Sequence, residues 1–380
     1  MQHKRSRKYI PRNPNVPFPN KPSASDPFYV QEMARRGQTY LDITIKAIGV
    51  WDTVGSLGLP RLGFLTRLNI QPEESKAMQF YDTKLGNCIE NAFQALGLDE
   101  RRASFTPAVW EKPPGNRTVL RQVWFPGVHS NVGGGYDDQE LANITLAWMM
   151  AQLDPFLDFN RGYVLRQERE NDQFYKDEGE PLRPWSFGKL YNSMTGIYAV
   201  GGSLHRTPGQ YMKIDPKDGQ ATDIPLSNTH EYIHPSVRTR IRLRGPGEED
   251  KGRYEPEPMN DWRLVIDYPD GEDGKPDIFW KARYKEMPVK ILPESPLWGI
   301  ERELAEMDPE TYDYVKHPPP TRARPRERHK KERQKRIEYG HSEPENGRMR
   351  SRSRARSRAR SRPRSMAYDY EPPNRTLSPG

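Results

Sequence analysis

Two residues in this chain have the types and surroundings that ester chemistry needs. The run from Val123 to Tyr136, Val-Trp-Phe-Pro-Gly-Val-His-Ser-Asn-Val-Gly-Gly-Gly-Tyr, carries β-forming residues into a glycine-rich turn that presents His129. A second run, Ile-Thr-Ile-Lys-Ala-Ile-Gly-Val-Trp from Ile43 to Trp51, ends on Asp52. Nucleophilic ester hydrolysis requires a hydroxyl, an imidazole to take its proton and a carboxylate to hold the imidazole's tautomer. In doubly wound sheets these groups sit at the C-terminal ends of strands, in the chain order Ser, Asp, His. Asp52 and His129 fit the last two places. The glycines at 133 to 135 allow backbone N–H groups to approach a substrate, or turn the chain sharply behind the histidine. The pattern alone also admits a plain reading, a loop histidine beside a glycine turn and a capping aspartate.

The elements that must position this pair read as an α/β fold, a mostly parallel sheet flanked by helices. Residues 1–40 form a proline-rich arm or linker, with a short helix predicted over Pro27 to Arg36. The β-branched run 43–51 suits a central parallel strand buried on both faces. A helix is expected from Ser75 to Leu96, with Cys88 buried among Met78, Tyr81, Leu85, Ile89, Ala92 and Leu96 at helical spacing. A strand over Thr118 to Phe125 enters the His129 turn. Asp138 can cap a following helix whose Leu141, Ile144, Trp148 and Met149 share a face, stopped at Pro155. Ser236 to Arg244 alternates well enough to be strand or helix, and the choice stays open. Trp262 to Tyr268 and Ile278 to Tyr284 read as hairpin strands around an Asp-Gly-Glu-Asp-Gly turn, and Pro296 to Met307 as a closing helix.

Composition limits what else the chain can be. The formal charge of +8 is an average over two different parts: residues 321–365 carry 18 Lys/Arg against 5 Glu, a local +13, which leaves −5 for the rest. A basic pI is therefore no argument that the domain itself binds nucleic acid. The sequence is expected to divide into the arm 1–40, a domain over 41–310 and a disordered basic tail over 311–380, where Pro, Arg, Ser and Glu cannot bury enough surface to fold. Arg350 to Arg364 is an arginine–serine repeat. Tail residues 321–365 are candidates for RNA or an acidic partner, and serine phosphorylation would move this polycation towards neutrality. No run approaches the length of a membrane span and the first residues lack the apolar core of a signal peptide, so an intracellular protein, cytoplasmic or nuclear, is expected. One cysteine excludes a disulfide framework. His230 and His234 have the spacing of metal ligands on a helix, but Pro235 follows and no third ligand is evident; a surface loop, with no cofactor or metal, is the expectation.

Ile48 to Gly58 (Ile-Gly-Val-Trp-Asp-Thr-Val-Gly-Ser-Leu-Gly), Ala95 to Arg102 (Ala-Leu-Gly-Leu-Asp-Glu-Arg-Arg) and Val123 to Tyr136 resemble the α/β-hydrolase family typified by the phospholipase effectors of type VI secretion, a family with many fungal members. The similarity runs on through the Pro-Trp-Ser-Phe segment at Pro184, the Thr-Pro-Gly segment at Thr207 and the His-Pro-Ser-Val-Arg segment at His234, covering residues 40–245. It implies an ester or phospholipid hydrolase with a Ser-Asp-His triad, Asp52 as the acid and His129 as the base.

One departure matters as much as the match. The family opens with an Asp-Gly-Thr-type strand and a Gly-x-Ser-x-Gly nucleophile elbow upstream of the acid-bearing strand, and neither motif occurs here. The chain reads as the C-terminal two-thirds of the domain, inactive alone, with strand 43–51 left as an open apolar edge. An incomplete gene model accounts for this most simply; a partner chain supplying the strands, or a degenerate fold, are the alternatives. Ser56, Ser130 and Ser203 are poor substitutes: Ser56 lacks the elbow spacing, Ser130 adjoins His129, and Ser203 lacks the closing glycine. The second functional class is an RNA-associated or scaffolding protein acting through its tail.

Overall fold

The computed structural model describes residues 28–55, 83–200, 203–215, 221–271 and 274–321. A short helix α1 (Tyr29–Arg35) lies where it was expected. Strands β1 (Ile48–Trp51), β2 (Asn91–Gly97) and β3 (Val119–Phe125) follow, then helices α2 (His129–Gly133), α3 (Glu140–Leu153) and α4 (Gly162–Asp177). A hairpin of β4 (Met212–Ile214) and β5 (Ala221–Pro225) precedes β6 (Glu231–Ile233) and α5 (Pro235–Arg242). Strands β7 (Trp262–Asp267), β8 (Asp277–Ala282) and β9 (Ile291–Pro293), then α6 (Gly299–Ala305) and α7 (Pro309–Lys316), complete the order. No helix among the described residues is long and apolar enough to cross a membrane.

The site is positioned by a four-stranded parallel sheet in the order β1-β2-β3-β6. Its register runs from Ile48 opposite Ala92 to Trp51 opposite Ala95, and continues as Gly97 opposite Phe125. Phe93, Ala95, Leu96, Val123, Trp124 and Phe125 are almost fully buried because both faces of β2 and β3 are covered. Two mid-strand polar residues are buried as well and joined by one hydrogen bond: Gln94 Nε2 donates to Gln122 Oε1 at 3.0 Å, and Gln122 Nε2 donates to the Trp110 and Thr229 carbonyls.

β1 is not the long central strand that residues 43–51 suggested. It is four residues long, half-buried, and lies at one edge of the described sheet. Ile43 and Ile45 before it are 60% and 41% exposed, and pairing upstream is limited to a bridge between Ile45 and Ile89.

The expected helix through Leu96 is also absent over its described part, since residues 91–97 form β2 and Cys88 is exposed in the turn that leads into it. Apolar residues at helical spacing misled here. A strand covered on both faces needs apolar residues without alternation, so any spacing is satisfied by chance. The first part of that helix, residues 75–82, lies outside the described residues.

α3 is buried nearly all round, with Leu141, Ile144, Trp148 and Met149 at 3% exposure or less. It packs on β2, α2, α4 and α6. Its N-cap is Gln139 and not Asp138, although Asp138 Oδ1 accepts from the Glu140 N–H at 3.1 Å. The ambiguous stretch after His234 is helix α5; of its alternating arginines Arg238 and Arg240 are buried, and Arg242 is exposed. Arg238 forks onto Glu294 at 2.7 and 2.9 Å, and Arg240 donates to the carbonyls of Ser186, Gly188 and Pro246.

The antiparallel β7–β8 pair matches the expected hairpin, and β9 adds a third strand. Trp262, Trp280 and Leu292 from this sheet pack against Leu96, Trp124, Ile233 and Val237. α6 occupies the expected closing helix. α7 lies across residue 310, and Thr321 still exchanges hydrogen bonds with the backbone of Ile266. Residues 1–27 and the basic tail from 322 lie outside the described residues.

Candidate active site

Asp52 and His129 leave β1 and β3 at the C-terminal ends of the two strands that flank β2. Parallel strands share one such end, which is why residues 77 positions apart can meet. His129 Nδ1 lies 2.7 Å from Asp52 Oδ2.

His129 is the first residue of α2, and its placement depends on the turn before it. Gly127 sits at φ +111°, and its N–H donates to Asp99 Oδ2 at 2.6 Å. A Cβ at Gly127 would fall 2.6 Å from Asn131 Cβ. Asn131 holds the turn from the other side, accepting from the Val128 N–H and donating to the Lys189 carbonyl. The glycine run behind the histidine ends the helix. Gly134 adopts the left-handed conformation at the C-cap, and Gly135 N–H donates to the Ser130 carbonyl at 2.8 Å.

Asp52 is fully buried, with φ at +44° immediately past β1. Oδ1 accepts from Gly97 N–H at 2.9 Å and Arg206 Nη1 at 3.0 Å; Oδ2 accepts from Arg206 Nη2 at 3.0 Å in addition to His129. Burial alone would raise this carboxyl. The Arg206 charge and the hydrogen bonds from His129, Arg206 and Gly97 outweigh it and bring the pKa down to about 2. An ionised carboxylate can only accept, so the shared proton sits on Nδ1 and the neutral ring presents Nε2 as a lone pair. The imidazole is 33% exposed, whereas the carboxylate is sealed. Nε2 makes no hydrogen bond among the described residues, and the Phe105 ring meets the imidazole edge-on at 5.0 Å. The arrangement is a buried carboxylate orienting an imidazole through Nδ1.

Glu100 holds the backbone of the same histidine. Its Oε2 accepts from the His129 N–H at 3.2 Å, its two oxygens take Arg102, and Oε1 also accepts from Ser193 Oγ. Burial opposes ionisation, but the Arg102 and Ser193 contacts hold this carboxyl below its usual range. The Arg102 guanidinium lies 3.5 Å from the Phe105 ring centroid.

Arg206, Glu100 and Ser193 were not legible as site residues. A single arginine has no spacing to betray it, although Arg206 directly precedes the Thr-Pro-Gly segment and Glu100 lies inside the Asp-Glu-Arg-Arg segment. Among the substitute serines, Ser56 lies outside the described residues. Ser130 is half-buried in α2, and Ser203 is exposed and bridged to Arg102.

His234 is not in a surface loop. It caps α5 and is fully buried, with Nδ1 2.7 Å from Ser236 Oγ and Nε2 3.1 Å from Glu301 Oε1. Serine, histidine and glutamate thus come together as in a triad, but at 0%, 0% and 2% exposure they admit no substrate. Among the described residues no group of three His, Cys, Asp or Glu side chains could hold a metal.

Residues 2–152 match the family model described as "T6SS, Phospholipase effector Tle1-like, catalytic domain". That segment includes Asp52, Glu100 and His129; it starts before the 40–245 range of the sequence resemblance and stops short of Arg206. No curated protein and no solved structure matches the chain.

Proposed function

We propose, from the match of residues 2–152 to the Tle1-like phospholipase catalytic domain, that this chain carries the acid and the base of a lipid-ester hydrolase and lacks its nucleophile. The observation that carries the reading is the 2.7 Å contact between His129 Nδ1 and a buried, ionised Asp52, with Nε2 unengaged among the described residues. In such chemistry Nε2 takes the proton of an attacking serine hydroxyl as the ester carbonyl is attacked. It then returns that proton to the departing alcohol, while Asp52 stabilises the imidazolium. A water activated by the same nitrogen releases the acyl group. No Gly-x-Ser-x-Gly sequence is present to supply the hydroxyl, so the chain alone is expected to turn over no ester. Assay of the full chain on short-chain p-nitrophenyl esters and phospholipid vesicles tests this. The expected result is no turnover beyond that of His129→Ala; turnover abolished by that substitution would reveal a nucleophile in the chain.

A second reading rests on residues 321–365, whose +13 charge suits an RNA backbone. RNA affinity that falls steeply with salt and disappears on removing residues 322–380 would support it. Affinity retained without the tail would sink it.

A further inference from the structure

Arg121, the third residue of β3, sits towards the opposite end of that strand from His129; residues 121 to 125 alone span on the order of 13 Å. Its guanidinium is held over the Trp298 ring at 4.9 Å and the Phe93 ring at 5.8 Å. It gives one hydrogen bond, Nη1 to Gln152 Oε1 at 2.9 Å, and pairs with no carboxylate among the described residues. Gln152 is 4% exposed, and its Nε2 is buried with no partner. The bond from Arg121 fixes which end of the amide is the oxygen, so the orphan is a donor. A buried donor left unpaired has given up its hydration without return, and beside it the half-buried Arg121 has no counter-ion among the described residues. Arg121 and Gln152 both line one recess of about 240 Å³, walled by Met150, Phe159, Trp298 and Ile300. At its rim Asp154 is already neutralised by Arg161 at 3.0 Å, so it opposes an incoming anion only weakly.

We propose that this recess binds a small carboxylate with a short aliphatic or aromatic body, its oxygens taken by Arg121 and Gln152 Nε2 and its body by Phe159 and Trp298. The planar arginine fork matches a carboxylate. An apolar cavity of ~150 Å³ is enough for a benzene ring, so a body of that size plus a carboxylate fits the volume, whereas inorganic phosphate would leave the apolar walls unused. The site stands apart from Asp52 and His129, and its readout does not depend on ester turnover.

Calorimetric titration of the full chain with sodium octanoate tests the assignment, with benzoate, octanol, octylammonium and inorganic phosphate as comparison probes. Octanoate and benzoate should bind saturably at one site. Arg121→Met should weaken octanoate by about ten-fold or more, as for loss of a charged hydrogen bond, and Gln152→Leu by a smaller factor. Arg121→Lys should recover part of the loss. Ala151→Phe fills the recess while keeping Arg121, so it should block binding without disturbing the charge; octanoate should raise the thermal midpoint of the native chain and not of this variant. Absence of octanoate binding, equal affinity for octanol or phosphate, or octanoate binding unchanged in both Arg121→Met and Ala151→Phe overturns the proposal.

Discussion

Arg206 grips Asp52 with both arms of its guanidinium, Nη1 to Oδ1 and Nη2 to Oδ2 at 3.0 Å each, and neither side chain is more than 3% exposed. A bidentate pair this deep is expensive to assemble and more expensive to break, because the survivor is left charged in a poor solvent. The same oxygen that meets Arg206 Nη2 also orients His129, so the pair fixes where the imidazole points. Arg206 Nη2 is itself tied to the Phe105 carbonyl at 2.8 Å, and Phe105 packs on the imidazole. Strand end, arginine loop and aromatic wall therefore share one set of contacts.

Arg206→Met should destabilise the fold by about 3–5 kcal/mol, the cost of stranding a buried carboxylate. Asp52 has a folded pKa below its unfolded value. Its contribution, on the order of 2 kcal/mol, is therefore present above pH 3.8 and lost as pH falls towards about 2. Urea denaturation at neutral pH measures the first effect. In Asp52→Asn/Arg206→Met the total loss should be less than the sum of the single losses, and full additivity would show that the two residues do not act as a pair.

The Asp52 contact predicts the tautomer of His129. Nitrogen NMR of the native chain should find the neutral ring protonated at Nδ1. Asp52→Asn, which can offer an N–H of its own, should erode that preference. A native ring protonated mainly at Nε2 would remove the basis for treating Nε2 as a proton acceptor.

Gly127→Ala should be among the costlier small substitutions, by about 2–4 kcal/mol, because it combines a left-handed φ with a backbone-side contact that Asn131 cannot relieve at its far end. Its effect should reach the site, since Gly127 and Asn131 together set the turn before His129. A chemical-shift map concentrated on Asp99, His129 and Asn131 is the expected signature, and a thermal midpoint equal to the native one would contradict the strain.

Burial holds His234 neutral, with its pKa lowered to about 3. An unfolded histidine titrates near 6.5, so the unfolded chain binds a proton that the folded chain refuses. Stability from this source is complete above pH 6.5 and drains as pH falls towards about 3, with a slope of up to about 1.4 kcal/mol per pH unit. His234→Gln should lower stability at pH 7 and flatten this acid limb. Urea midpoints measured from about pH 7 to about pH 4 on both proteins check the slope, and parallel limbs would show that His234 is not its source.

Features written in short-range pattern were legible in the residues alone: the strand leading to His129, the stop of α3 before Pro155, the β7–β8 hairpin, and the placing of Asp52 and His129 just past the ends of two strands. Each is fixed by backbone preference and side-chain period over a few neighbours. Where burial on all sides removed the period, the sequence misled. Residues 91–97 looked helical because a strand covered on both faces has no polar side to announce it, and residues 236–244 fitted strand and helix alike because nothing near them names the carbonyls and the carboxylate that bury Arg238 and Arg240. Only the tertiary structure could decide that Arg206 closes on Asp52 across 154 positions, or that His234 is sealed against Glu301. Such contacts are made by groups whose distance is set by the packing of whole strands and loops, and a charge carries no local mark of the partner that will neutralise it.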